Sequence, residues 1–192
     1  MDEAVLKAMA RWPDVPAVFG WLLLDPRGGW RLVQRDAPNF DPIVHKRGEP
    51  ITSPSIIDFI GRNYARDDKG RWFWQNGPQR VFVELEAAPL IFRVLESANT
   101  PTSKQLVTHT GYRVERIKDP CVDLHGRFYL ATEHGPGMIH DLDLAQLELE
   151  ASHDDAGSLT WRWQSHRQVQ TAYTVPLIKE PSSHYGFVSR PL

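Results

Sequence analysis

Apolar and polar positions alternate along this chain with two different periods. Near the start, Val5, Met9 and Trp12 fall on one face of a 3.6-residue repeat. Asp2 is placed to cap that segment and Pro13 to stop it, which predicts a short amphipathic helix lying on a sheet. Residues 17–24 are continuously apolar and lead through Asp25-Pro26-Arg27-Gly28-Gly29 into Trp30-Arg31-Leu32-Val33, the pattern of a hairpin. From Gln34 to Pro50 the chain is polar and proline-containing, as a surface loop would be. Ser53-Pro54 predicts a second helix start, with Ile56, Ile57, Ile60 and Tyr64 as its buried face.

A period of two takes over after Gly70. Residues 71–75 read as a strand and Asn76-Gly77 as a turn. Val81, Val83 and Leu85 then alternate with Arg80, Phe82, Glu84 and Glu86 along a half-buried strand. Further strands are predicted over 90–95, 106–109, 112–117, 128–132, 138–140, 159–164 and 171–177. Residues 142–150 fit a strand or a short helix, and periodicity does not choose between them. The stretch 97–103, Ser-Ala-Asn-Thr-Pro-Thr-Ser, has the composition of a linker. The expected fold is therefore α+β: mostly antiparallel sheet with repeated β-hairpin motifs and two short helices in the N-terminal half. An N-terminal α+β lobe over 1–96 and a C-terminal β-rich lobe over 104–192 follow, either separate or sharing one core.

A degenerate pattern punctuates these strands. Asp25-Pro26-Arg27-Gly28 precedes Trp30, Asp67-Asp68-Lys69-Gly70 precedes Trp72, and Asp123-Leu124-His125-Gly126 precedes Phe128. Asp154-Asp155-Ala156-Gly157 precedes Trp161 at a longer offset. In each, aspartate can bond back to the turn, glycine supplies positive φ, and the aromatic residue opens the next strand. Four independent turns and an internally repeated β-motif both account for it.

Residues 66–72, Arg-Asp-Asp-Lys-Gly-Arg-Trp, with the continuation Gln79 to Leu90 and the opening Ala8 to Val18, resemble an uncharacterised proteobacterial family. The middle segment is more distantly similar to a second uncharacterised bacterial family. That family's pattern joins an aspartate–glycine turn and an aromatic strand to a V-x-V-E strand ending at Ala-Pro, and its fold has repeated β-motifs. Both resemblances imply the β-rich fold, and neither brings an activity or catalytic residues.

Composition narrows the function classes. The chain has 192 residues, 41% hydrophobic and 24% charged, enough to fold around a core. Its 22 basic and 24 acidic residues are mixed along the chain and leave a net charge of -2, which offers no field to gather nucleic acid or an anionic membrane. No run approaches the ~20 apolar residues of a spanning helix, the N-terminus lacks a signal-peptide core, and Cys121 is the single cysteine. A cytoplasmic address is expected.

Three groups of residues could carry chemistry. Cys121 has His125, Asp119 and Asp123 near it in sequence, the elements of a thiol nucleophile, although a lone cysteine beside Pro120 and Val122 reads equally as a buried apolar residue. His134, His140, Asp141 and Asp143 supply nitrogen and carboxylate donors for a metal, beside Gly135-Pro136-Gly137, which also suits a plain tight turn. Trp72 with Trp74, and Trp161 with Trp163, each project from one sheet face. With Arg71, Arg80 or Arg162 they could form a groove for a peptide, a partner or a flat ligand, or they fill the core.

Glu84 with Glu86 reads as outward solvated charge, and no phosphate loop, nucleophile elbow or His-Glu-x-x-His is present. These observations favour a non-catalytic binding or regulatory module, of the signalling kind among others, without a cofactor, taking a protein partner or a small ligand. A small metal-dependent or thiol hydrolase is the alternative. A structural subunit stable only as a homo-oligomer is a third reading.

Overall fold

The computed structural model describes residues 1–41, 44–45, 47–97, 100–151, 159–164 and 170–192. The chain forms two compact units, one of Met1–Pro89 with Gly186–Leu192 and one of Leu90–Tyr185. The division falls at Pro89, ahead of the expected linker at 97–103, of which residues 98–99 lie outside the described residues.

In the first unit, helix α1 (Glu3–Arg11) precedes β1 (Val18–Leu24), β2 (Trp30–Leu32) and β3 (Glu49–Pro50). Helix α2 (Pro54–Arg62) leads into β4 (Tyr64–Arg66), β5 (Trp72–Asn76) and β6 (Gln79–Leu85). The sheet order is β3-β2-β1-β6-β5-β4, with β1 and β6 parallel at its centre and every other neighbour antiparallel. Leu22, Leu24 and Val83, on one face at that centre, are fully buried.

Both helix starts depart from expectation. The Asp2 side chain makes no cap; its carboxylate accepts from Arg62 and Asn63, tying the start of α1 to the end of α2. Ser53 makes no cap either, and its hydroxyl meets that of Ser55. Helix α2 stops at Arg62, so Tyr64 belongs to β4, and Ile56 is exposed instead of buried. The helical period predicts one turn more than forms, because Asn63, fully buried, accepts the N–H of Asp2 and ends the helix.

The second unit contains β7 (Leu90–Ser97), β8 (Thr100–Thr108), β9 (Ile117–Asp123), β10 (Phe128–Thr132) and β11 (Gly135–Ile139). A 3-10 turn (Asp141–Gln146), β12 (Glu148–Ala151), β13 (Leu159–Gln164), β14 (Gln170–Val175), β15 (Leu177–Ile178) and α3 (Pro181–Tyr185) follow. One sheet runs β15-β9-β10-β11-β7-β8 and another β12-β13-β14. The undecided segment 142–150 is both things predicted of it, a tight helical turn and then a strand.

Residues 112–116 are irregular, and the strand expected there begins only at Ile117. It runs on through Asp119-Pro120, which interrupt the alternation and concealed it. A bulge sits there, and Asp119 adopts φ 49° at that point.

The two large sheets share an order. In the first, a parallel pair β1/β6 joins the hairpin β1-β2 to the meander β4-β5-β6. In the second, the parallel pair β7/β11 joins β7-β8 to β9-β10-β11. Registers correspond: Arg66↔Trp72 with Val122↔Phe128, Phe73↔Phe82 with Tyr129↔Met138, and Leu22↔Val83 with Phe92↔Ile139.

The turns at 25–29, 67–71 and 123–127 are also alike. Each aspartate Oδ1 accepts two backbone N–H groups, two and four residues on, and each glycine is left-handed, with φ of 83°, 76° and 74°. The fourth copy, at 154–157, lies outside the described residues. No helix among the described residues is long and apolar enough to cross a membrane.

Candidate ligand-binding cleft in the first unit

Strand alternation separates the tryptophans from the arginines expected to flank them. Trp72 and Trp74 point to the helix side of the first sheet, Trp72 against Tyr64 and Trp74 edge-on to Phe59 of α2. Arg71 and Arg80 lie on the opposite face, Arg71 over Phe82 and Arg80 over Phe73, with guanidinium carbons 4.4 and 4.0 Å from the ring centres. Trp72 is 4% exposed, Trp161 0% and Trp163 5%, and Trp74 is half-buried. Trp161 packs against Phe128, Trp163 and Tyr173, so the second pair also lines a core. Arg162 faces outward to Glu150.

The four expected metal ligands are drawn to separate tasks. His134 Nε2 meets the carbonyl of Arg113, and its ring packs against Tyr112. His140 Nδ1 accepts the Leu142 N–H at 3.2 Å, with Asp141 Oδ1 2.9 Å away, and so starts the 3-10 turn. Asp143 is buried and accepts from the Arg93 guanidinium, the Val94 N–H and Gln146 Nε2. Burial opposes ionisation of Asp143, but the bonds from Arg93 and Val94 and the charge of Arg93 outweigh it, holding its carboxyl below the usual range. Among the described residues no three His, Cys, Asp or Glu side chains group as a metal ion would need.

Cys121 meets a phenol and not an imidazole. Its Sγ lies 3.0 Å from the Tyr185 hydroxyl, which donates at 2.6 Å to the carbonyl that the Asp119 bulge turns toward it. His184 Nε2, on α3, is 2.7 Å from Asp119 Oδ2. The sequence neighbour His125 only donates its backbone N–H to Asp123. Burial raises the Cys121 thiol to about 11, against the opposing bond from Tyr185 and with help from the charges of Asp119 and Asp123. Such a thiol is protonated at neutral pH and is a poor nucleophile. We expect iodoacetamide at pH 8 to leave Cys121 unmodified in the folded protein and to label it fully in urea, as read by intact mass; equal labelling in both would contradict the burial.

The loop read from sequence only as polar surface is the most developed site feature of the first unit. Residues 33–41 and 47–48 are pinned to the sheet by three arginines. Arg35 Nε donates to Gly20 O at 2.6 Å and its Nη2 to Glu84 at 2.9 Å. Gly20 has φ 74°, and a Cβ there would lie 2.5 Å from the Arg35 guanidinium and displace it from these bonds. Arg47 grips Glu86 through two bonds of 2.9 and 2.8 Å, which raises its own pKa further. Arg31 donates to the carbonyls of Arg47 and Gly48. Glu84 and Glu86, expected to be idle surface charge, are thus the anchors of the loop.

Behind that loop lies a cleft of about 890 Å3, bounded by Leu23, Val33 and Leu85, by the two ion pairs, and by Ser189 to Leu192. Leu23, Val33 and Leu85 are almost fully buried there, Pro26 and Phe40 are half-buried, and polar and apolar groups both line the cleft. A smaller cavity of about 370 Å3, containing Arg31 and His45, lies on the loop's other side and shares Phe40 and Arg47 with the first. The segment 186–192 is held in place by Val188 N–H to Gly70 O and Leu85 N–H to Ser189 O. Fixed polar groups beside apolar side chains are a combination that small-molecule sites use.

Comparison with known proteins places this geometry. A protein of the DUF1285 family from Silicibacter pomeroyi DSS-3 has a similar structure, with a TM-score of 0.51 and 14% identity over 96% of this chain and 100% of that one. At that identity the likeness concerns the fold alone. A DUF1285 protein from Shewanella baltica OS155 matches with a TM-score of 0.45 and 16% identity, over 66% of this chain and 89% of that one. No curated protein matches the chain. The family model DUF2944, described as a protein of unknown function (DUF2946), matches residues 1–192, and the chain belongs to that family.

Proposed function

We propose that this protein is a non-catalytic binding or regulatory module that holds a small ligand in the cleft behind residues 33–41 and 47–48. The observation that carries the reading is the pairing of Arg35 with Glu84 and Arg47 with Glu86 in the lining of a cleft of about 890 Å3. These pairs preorganise donors and acceptors, which lowers the ordering cost of binding. None of the groups around the cleft is a nucleophile with a base beside it, and the protonated Cys121 supports binding over thiol chemistry. The single reduced cysteine supports a cytoplasmic address. The shared order and register of the two sheets support reading the chain as two copies of one β-motif, with the ligand cleft elaborated in the first.

Thermal melting against small-molecule fractions of an extract of the source cells tests this. A ligand present at about a hundred times its Kd adds roughly 2.7 kcal/mol. We expect at least one fraction to raise the melting temperature of the wild type and to have no effect on Phe40→Glu. Shifts that survive in Phe40→Glu would place the ligand elsewhere, and no shift from any fraction would count against a small-molecule site.

A further inference from the structure

We infer that the outer edge of β14 is a pairing surface for a second copy of this chain, which joins the two three-stranded sheets strand to strand about a two-fold axis. Strand β14 ends the order β12-β13-β14 and pairs on one side only, with β13. No other backbone group among the described residues bonds to Gln170–Val175.

An unpaired strand edge is a template for any extended chain, and folded proteins guard it with proline, charge, brevity or cover. The other sheet edges among the described residues are guarded in those ways. Strands β3 and β15 are two residues long and β3 contains Pro50, while β4 has three residues and ends on exposed Arg66. Strand β8 carries Pro101 and Lys104, and its far end is covered where the Thr108 and Val114 N–H groups donate to the carbonyls of Tyr112 and Leu106. Strand β12 exposes Glu148 and Glu150. In contrast β14, Gln-Thr-Ala-Tyr-Thr-Val, has neither proline nor charge.

Its solvent side presents Gln170, Ala172 and Thr174, which give a foreign segment no charge to be selected by. A second copy is selected by symmetry. Antiparallel registers that keep the packed faces on one side centre on Ala172 or on Tyr173. They set Thr171 beside Tyr173 or Val175, pairs of the β-branched and aromatic kind that stabilise sheets, and oppose no like charges within β14. The product is a six-stranded sheet, the strand number of each of the other two.

Analytical ultracentrifugation from about 1 to 500 µM, on the wild type and on Ala172→Lys/Thr174→Lys and Ala172→Glu/Thr174→Glu, tests this. Both positions are exposed, so both variants should stay folded, as circular dichroism would show. We expect the wild-type mass to rise from monomer to dimer across the range. Each variant alone should remain monomeric, because its charges oppose their own copies in both registers, and an equal mixture of the two should dimerise. A wild type that stays monomeric throughout would overturn self-pairing and leave the edge to an extended segment of another protein. Dimers formed by both variants alone as readily as by the wild type would overturn the assignment to β14.

Discussion

Replacing Asp143 by alanine is expected to cost about 2–4 kcal/mol of stability in urea unfolding. The carboxylate is 3% exposed and accepts from Arg93, from the Val94 backbone N–H and from Gln146. Alanine leaves the Val94 N–H buried without a partner and opens a small void. Arg93, with 45% of its side chain exposed, can turn to water, which keeps the loss below that of a fully buried pair.

Asp143→Asn should cost less, because its amide oxygen still accepts from Val94. The two variants also differ from the wild type in acid. A carboxyl whose folded pKa is lowered contributes stability above its unfolded value, near 3.9, and loses it as pH falls through the folded value. The acid limb below about pH 4 should therefore be steeper in the wild type than in Asp143→Asn. Parallel limbs, or a cost under about 0.5 kcal/mol for Asp143→Ala, would refute the assignment.

Gly70→Ala should be the most damaging change in the first unit. Gly70 has φ 76°, where an L side chain costs roughly 1–2 kcal/mol. A Cβ there would also collide with the Gly186 carbonyl oxygen, in the segment that bonds back to Gly70 through Val188. Gly126 occupies the same place in the corresponding turn of the second unit, with φ 74° and open space around it. We expect Gly126→Ala to cost about 1 kcal/mol and Gly70→Ala about 3 or more, with faster amide exchange over 186–190 in the latter alone. Equal costs would mean that the 186–192 segment does not depend on this approach.

Much of the fold was legible because local patterning agreed with it. Phe128–Thr132 is a strand as read, the alternation around Val81, Val83 and Leu85 gives β6, and the three Asp-x-x-Gly turns among the described residues are where the pattern put them. Pairing partners were not legible. Nothing local says that β1 lies parallel to β6, since that contact joins residues far apart in sequence.

The irregular stretch Asp119-Pro120 hid β9, and the Gly-Pro-Gly opening of β11 read as a turn because its register with β10 is set by the sheet. The cleft was missed for a related reason. Arg35, Arg47 and Glu86 are unremarkable singly, and only folding brings Arg35 to Glu84 on β6 and Arg47 to Glu86 just beyond its end. Trp72 and Arg71 are adjacent in sequence, yet alternation sends them to opposite faces.

The central claim is that the protein binds a small molecule without transforming it. The most direct test is to equilibrate a known amount of protein with a small-molecule extract of the source cells and to quantify the extract by mass spectrometry before and after. What is released on denaturing the protein is identified in the same way. The account predicts depletion of one compound in proportion to protein, and its full recovery, unchanged, from the denatured sample. Loss of a compound far beyond the amount of protein, with a new product appearing in its place, would contradict it and identify an enzyme.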